Sequence, residues 1–100
     1  MNSWVQAEEE RYRLDVLRLL EAASGYEMNH RTIGAALRTR GHHRSADAQA
    51  DALHWLARHG LVETREEAGF VVARLTDRGA DVAAGRETVP GVARPMPGDD

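Results

Sequence analysis

The order of structural signals between residues 53 and 85 constrains the fold more than any other feature of this sequence. The stretch reads LHWLARHGLVETREEAGFVVARLTDRGADVAAG. An apolar helical pattern ends at Gly60, and two short runs typical of strands follow, separated by a turn that contains Gly69. Thr76 is a residue type that caps the start of a helix, and Gly85 is one that ends it. The order therefore predicts a helix, a β-hairpin and a second helix.

Upstream of this stretch the sequence predicts two more helices. Val16, Leu20 and Ala23 follow one another at the spacing of a single helical face, and Ser24-Gly25 ends that pattern. Asn29 and Ser45 are both suited to cap the helices that follow them. We predict an α+β, mainly α domain over residues 1–86. Its helices are expected at about 7–23, 29–39, 45–59 and 76–84, its hairpin at 61–75, and an extended or disordered tail at 87–100.

The apolar positions of these elements are expected to meet in a single core. The residues assigned to it are Val16, Leu20, Ile33, Leu37, Leu53, Leu56, Val62 and Leu75. A chain of 100 residues buries one modest core, which agrees with a single domain.

Composition excludes several classes of function. The chain has no cysteine, so disulfides and thiolate chemistry are excluded. It has no apolar run long enough to cross a membrane and no signal-peptide pattern at its start, so we expect a cytoplasmic protein with no membrane partner. No spacing of histidines and carboxylates matches a metal or catalytic motif. We therefore predict no enzyme activity, no metal and no cofactor.

The predicted order of elements resembles the winged helix-turn-helix of ArsR- and MarR-type bacterial regulators. The resemblance covers residues 7–85, and the motifs that carry it are HWLARHGLVE, the hairpin, and LTDRGADVAAG. The final third more narrowly resembles small ArsR-like winged-helix proteins of Mu-like phages and prophages, in which a tail similar to VPGVARP follows. These resemblances imply a DNA-binding transcriptional regulator of phage type that acts as a homodimer in a bacterial host cell.

Charge is unevenly distributed along the chain. The net charge is −3, yet no acidic residue lies between Met28 and Ala46. We expect the basic side chains of this segment to contact DNA phosphates. The residues assigned to this role are Arg31, Arg38, Arg40, His43 and Arg44. The alternative is that they form an ordinary solvated surface in a protein whose basic residues are all arginine.

The resemblance places the third helix in the major groove. The residues of its groove face are then Ser45, Asp47, Ala50, Asp51 and His54. Aspartate accepts a hydrogen bond from cytosine but repels phosphate, and Glu66 and Glu67 bring further negative charge to the predicted tip of the wing. Gln49 also stands where related proteins place an aliphatic core residue. These departures leave open a second function, a protein–protein interaction module, such as a phage adaptor, that has lost base readout.

Trp4 and Val5 precede the predicted first helix and have no obvious apolar partner nearby. Aromatic side chains are enriched at protein interfaces. We therefore assign both residues to a homodimer contact, with packing of Trp4 over its own domain as the alternative.

Overall fold

The computed structural model describes residues 3–98 and contains four α-helices and three strands in that range, besides a short 3-10 helix at Ser24–Tyr26. In chain order these are α1 (Ser3–Ala22), β1 (Glu27–Asn29), α2 (His30–Arg38), α3 (Ala46–Arg58), β2 (Val62–Glu67), β3 (Phe70–Leu75) and α4 (Asp77–Ala84). The predicted α+β, mainly helical fold with a hairpin between the third and fourth helices is confirmed. Helix α1 begins at Ser3, four residues before the predicted start.

The helices begin and end where the sequence provides caps. The side chains of Asn29, Ser45 and Thr76 each accept a hydrogen bond from the backbone N–H three residues later, at the starts of α2, α3 and α4. These bonds satisfy amides that the first helical turn leaves without a partner. Gly85 closes α4 in the left-handed conformation that glycine adopts without strain. The predicted caps are thus confirmed.

A single apolar core joins all four helices to the sheet. Seven of the eight predicted core residues are buried in it, and Leu75 packs against it while partly exposed. The core also includes Tyr12, Leu14, Leu17 and Leu61. Helix α1 contributes to this core mainly between Tyr12 and Leu20, whereas its first two turns are exposed.

The sheet has three antiparallel strands in the order β1-β3-β2, one more than the predicted hairpin. In the hairpin, Val62 pairs with Leu75 and Glu67 pairs with Phe70, so Ala68 and Gly69 form a two-residue turn. Strand β1 adds to the other side of β3, with Met28 opposite Ala73. A three-residue strand carries no periodicity that a sequence reading detects, and its pairing depends on a partner more than forty residues away.

The tail after α4 packs against the domain. Residues 88–98 form no helix or strand, in keeping with their three prolines, but Val89 and Val92 are buried in the core. The backbone N–H of Ala93 donates to the Glu10 carbonyl at 3.1 Å, and Arg13 donates to the Gly91 carbonyl at 2.9 Å. The sequence-based boundary at residue 86 therefore leaves out two side chains that complete the core beside α1.

No helix among residues 3–98 is long and apolar enough to cross a membrane. Within the same range, no group of three or more histidine, aspartate or glutamate side chains is placed to hold a metal ion.

Candidate nucleic-acid interface

Helix α2 and the turn after it carry most of the basic residues assigned to DNA contact. Arg31, Arg38 and Arg40 are exposed, and so is His43 in the turn. Arg38 and His43 lie within hydrogen-bonding distance of one another, at 3.2 Å between Nη1 and Nδ1. We call these four exposed side chains the basic patch.

Arg44, the fifth residue assigned to phosphate contact, is instead engaged within the protein. Its guanidinium donates to the Glu9 carboxylate at 2.8 Å and lies 4.0 Å from the centre of the Tyr12 ring. Burial raises the pKa of the Tyr12 hydroxyl, and the charge of Arg44 opposes that effect. Arg44 therefore attaches the turn to α1, a role that its position in a basic run does not reveal.

Two histidines of the same segment are also structural. His42 contacts Asp15 of α1, with 2.8 Å between Nε2 and Oδ2. His30, the first residue of α2, accepts the Val71 backbone N–H at 3.1 Å through Nδ1 and is buried beside the wing. Protein contacts thus fix the start of α2 against β3 and the following turn against α1, leaving the basic patch as the solvent-facing part.

Helix α3 presents a mixed stripe to solvent. Asp47, Asp51, His54 and Arg58 follow one another at intervals that place them on one helical face, opposite the buried Leu53. Asp47 lies in the first turn, where a carboxylate is favoured by the helix dipole. Arg58 was not among the residues predicted for this face. Its spacing of seven residues from Asp51 was the available signal.

Two other residues assigned to the groove face have structural roles within the protein. Ala50 is partly buried and packs against the core. The Ser45 hydroxyl accepts the Ala48 backbone N–H at 3.1 Å as the helix cap, although Ser45 itself is exposed. Only Asp47, Asp51 and His54 of the predicted set therefore lie on the outward stripe.

Gln49 fills the place expected of an aliphatic core residue. It is buried between α2 and α3, and its amide donates to the Arg44 carbonyl at 3.0 Å. Gly34 of α2 lies directly against it, and a Cβ atom at Gly34 would collide with the Gln49 side chain. The glycine thus makes room for a larger polar residue, so the anchoring of α3 is retained despite the unusual side chain.

The tip of the wing is acidic, and Arg65, one of the two arginines of the hairpin, is paired. Arg65 donates to Glu27 of β1 at 2.9 and 3.0 Å and to Glu67 at 2.7 Å. These bonds lower the pKa of the Glu27 carboxyl, chiefly through the hydrogen bond from Arg65. Glu63 and Glu66 are exposed, so the wing presents negative charge where a basic tip would favour DNA.

The far end of α3 is attached to α1 and the tail through Trp55. Its ring stacks on His59 at 3.7 Å, and the Arg13 guanidinium lies 3.9 Å from the ring centre. A Cβ atom at Gly91 would collide with the same ring, so the tail glycine permits the close approach. Burial lowers the pKa of Arg13. These contacts hold the helix at its C-terminal end as Gln49 does near its start.

The residues assigned to a dimer contact lie in the first turns of α1. Trp4 is 61% exposed and Val5 is 47% exposed. Neither side chain is covered by the described part of the chain to the extent that a core residue would be.

Comparison with known proteins agrees with this architecture. No family profile matches the chain. The fold resembles the crystal structure of Sco5413, a MarR family transcriptional regulator from Streptomyces coelicolor, with a TM-score of 0.62 and 28% sequence identity over 72% of this chain. The chain spans 47% of the length of that regulator. The class defined by the fold is thus the winged helix.

A sequence relative narrows the assignment. The chain is 41% identical over 85 residues to uncharacterized protein gp26 of Escherichia phage Mu, which covers 85% of this chain and 88% of the phage protein. This chain belongs to the family of that phage Mu protein.

Proposed function

We propose that this protein is a phage-type transcriptional regulator that binds double-stranded DNA. In this proposal α3 enters the major groove, and the basic patch on α2 and the following turn contacts the phosphate backbone. The observation that carries it is the basic patch itself: Arg31, Arg38, Arg40 and His43 are exposed on the two elements that lead into α3. Such a regulator would act in the cytoplasm of the bacterial host. The finer resemblance to ArsR-like phage proteins stays a prediction.

The stripe of α3 has a specific consequence for base readout. Asp47 and Asp51 can accept hydrogen bonds but cannot donate them, so they suit the amino donors of the major groove, of which cytosine N4 is the usual partner of a carboxylate. Arg58 offers the complementary donor, which suits guanine. Affinity would then come from the basic patch, because the aspartates repel phosphate while they read bases.

The test is a titration of labelled duplex over a series of salt concentrations. Replacing Arg31, Arg38 or Arg40 with alanine should weaken binding to all sequences and reduce the salt slope by about one unit for each lost phosphate contact. Arg94→Ala is the matched control, because Arg94 is an exposed arginine of the tail. Tight binding that ignores the three patch variants would refute this contact surface, and absence of duplex binding by the wild type would refute the function.

A specific observation favours a second candidate, a protein–protein interaction module. The outward residues Asp47 and Asp51 and the exposed wing residues Glu63 and Glu66 give the groove-facing elements a negative charge that suits a basic partner. In the same titration this candidate requires little duplex binding at physiological salt, and loss of a protein partner when Asp47 and Asp51 are neutralised.

The proposed regulator is a homodimer with Trp4 and Val5 in its interface. The exposure of both side chains at the start of α1 supports this assignment, and a dimer would present two α3 helices to half-sites about 34 Å apart. Sedimentation of the wild type against Trp4→Ala tests it. A wild type that stays monomeric at all concentrations would remove the dimer and the two-half-site geometry.

A further inference from the structure

Backbone bonds tie the first part of the turn between α2 and α3 to the end of α2, with the His42 N–H donating to the Leu37 carbonyl at 3.1 Å, and side chains hold the turn against α1. Residues 42–45 form neither helix nor strand, and Gly41 before them takes a φ of +87°. Two of the four side chains point inward to α1: His42 to Asp15, and Arg44 to Glu9. The alternating residues, His43 and Ser45, are exposed.

The contact between His42 and Asp15 is the more buried of the two. Asp15 is 7% exposed and His42 is 12% exposed, against 36% and 21% for Glu9 and Arg44. The His42 and Tyr12 rings also meet nearly at right angles, with ring centres 5.0 Å apart and planes at 83°. A buried carboxylate needs a hydrogen-bond partner, and His42 supplies one from a residue 27 positions away.

We propose that Asp15 is a positioning residue for the DNA-contacting surface and acts through His42. The Nε2–H of His42 donates to Asp15, which attaches the turn to α1 in addition to the backbone bond from His42 to Leu37. The neighbouring residue His43 and its partner Arg38 are then held at the surface, in a fixed relation to the start of α3. Ordering this turn before DNA arrives removes an entropic cost that binding would otherwise carry. The inference rests on the proposed DNA-binding function.

Removing Asp15 has an electrostatic effect and a positioning effect on DNA affinity, and the two can be told apart. Removing an acidic residue should strengthen binding to a polyanion. Loss of positioning should weaken it, so the two effects have opposite signs. Asp15→Ala removes both the charge and the acceptor, whereas Asp15→Asn removes the charge but keeps an oxygen that can accept from His42. Glu21→Ala removes the same charge from an exposed site on α1 and serves as the control.

The experiment measures duplex affinity over a salt series for the wild type and these three variants, at a temperature where denaturation shows each to be fully folded. We expect Asp15→Ala to bind about five- to tenfold more weakly, the cost of ordering one or two side chains on binding. Its salt slope should fall by about one unit as the contact from Arg38 or His43 is lost. Asp15→Asn and Glu21→Ala should bind at least as tightly as the wild type, with an unchanged slope.

A purely structural role would lower the folded fraction without changing the salt slope. Amide hydrogen exchange of the free protein provides a second readout, in which residues 41–45 should exchange faster in Asp15→Ala but not in Asp15→Asn. A wild type that binds, with an unchanged slope in Asp15→Ala or equal weakening in Asp15→Asn, overturns the positioning role alone. A wild type that does not bind duplex overturns the proposed function and this inference together.

Discussion

The basic patch and the surface formed by α3 and the wing belong to one core but differ in how their charges are used. In and around the patch, some charged or titratable side chains face solvent, whereas Arg44 and His42 hold the turn against α1. On α3 and the wing, Asp47, Asp51 and Glu66 are exposed. We call the surface formed by α3 and the wing the groove surface. The comparison indicates that the two regions would contribute to DNA binding with opposite sign.

In this arrangement the residues that attract DNA differ from those that would select a base sequence. Phosphate contacts give affinity and orientation without reading sequence, and base contacts give selectivity. With the basic patch on α2 and the following turn, and acidic residues on α3, nearly all of the attraction for DNA phosphates would come from one side of α3. Such a protein is expected to bind weakly and with strong dependence on salt.

The largest expected effect is a loss of folding stability that would affect both regions at once. Leu56 of α3 is fully buried in the core that supports the patch, the helix and the wing. Leu56→Ala should lower the free energy of unfolding by about 2–5 kcal/mol, because it deletes buried methyl groups and leaves a cavity. Urea denaturation monitored by circular dichroism measures this loss. A change below about 1 kcal/mol would contradict the assigned core.

The next effect tests the sign assigned to the groove surface. Asp47→Asn combined with Asp51→Asn should raise duplex affinity roughly fivefold to tenfold, because two exposed charges that repel phosphate are removed. The matched control is Glu8→Gln with Glu21→Gln, which removes two exposed charges from α1. Equal gains from both pairs would show that only net charge matters and would erase the distinction between the two regions.

A smaller effect concerns the stability of the wing. Ala68 has a φ of +51°, a left-handed conformation that is strained for residues with a Cβ atom, and it occupies the first position of the two-residue turn. Ala68→Gly should raise the free energy of unfolding by about 0.5–1 kcal/mol. Thermal denaturation measures this, with Ala35→Gly in the exposed face of α2 as a control that should destabilise by a similar amount. A loss of stability in Ala68→Gly would contradict the strain assigned to this turn.

The smallest expected effect is the pH dependence of the stability contributed by the ion pair between Glu27 of β1 and Arg65 of β2. The pKa of Glu27 is lowered by its hydrogen bonds from Arg65. A lowered folded-state pKa contributes stability that is present above the unfolded-state pKa and is lost as pH falls through the folded-state pKa. The stability difference between wild type and Glu27→Gln should therefore shrink on acidification from about pH 6 to about pH 3. A difference that stays constant over this range would show that the pair does not stabilise the sheet.

The sequence predicted the features that depend on neighbours along the chain. The caps at Asn29, Ser45 and Thr76 and the turn at Gly69 are local signals, and each one appears where expected. The core also followed from periodicity, because one buried face per helix leaves little choice of packing residues.

The features that escaped prediction depend on distant partners. Arg44 and His42 lie in a run of basic residues, and only the fold brings Glu9 and Asp15 to them. His30 reaches a wing residue 41 positions away. A run of basic residues in a sequence shows which charges are present, but it does not show which of those side chains face solvent. The identity of the basic patch within that run therefore required the structure.

The packing of the tail on α1 has a consequence for the order in which the chain can complete its fold. Arg13 bonds to a carbonyl 78 positions later in the sequence, and Val92 fills the core beside the same helix. During synthesis α1 therefore leaves the ribosome well before the residues that complete its contacts. Until the tail emerges, the nascent chain carries an uncovered apolar strip on α1, available to chaperones or to other chains.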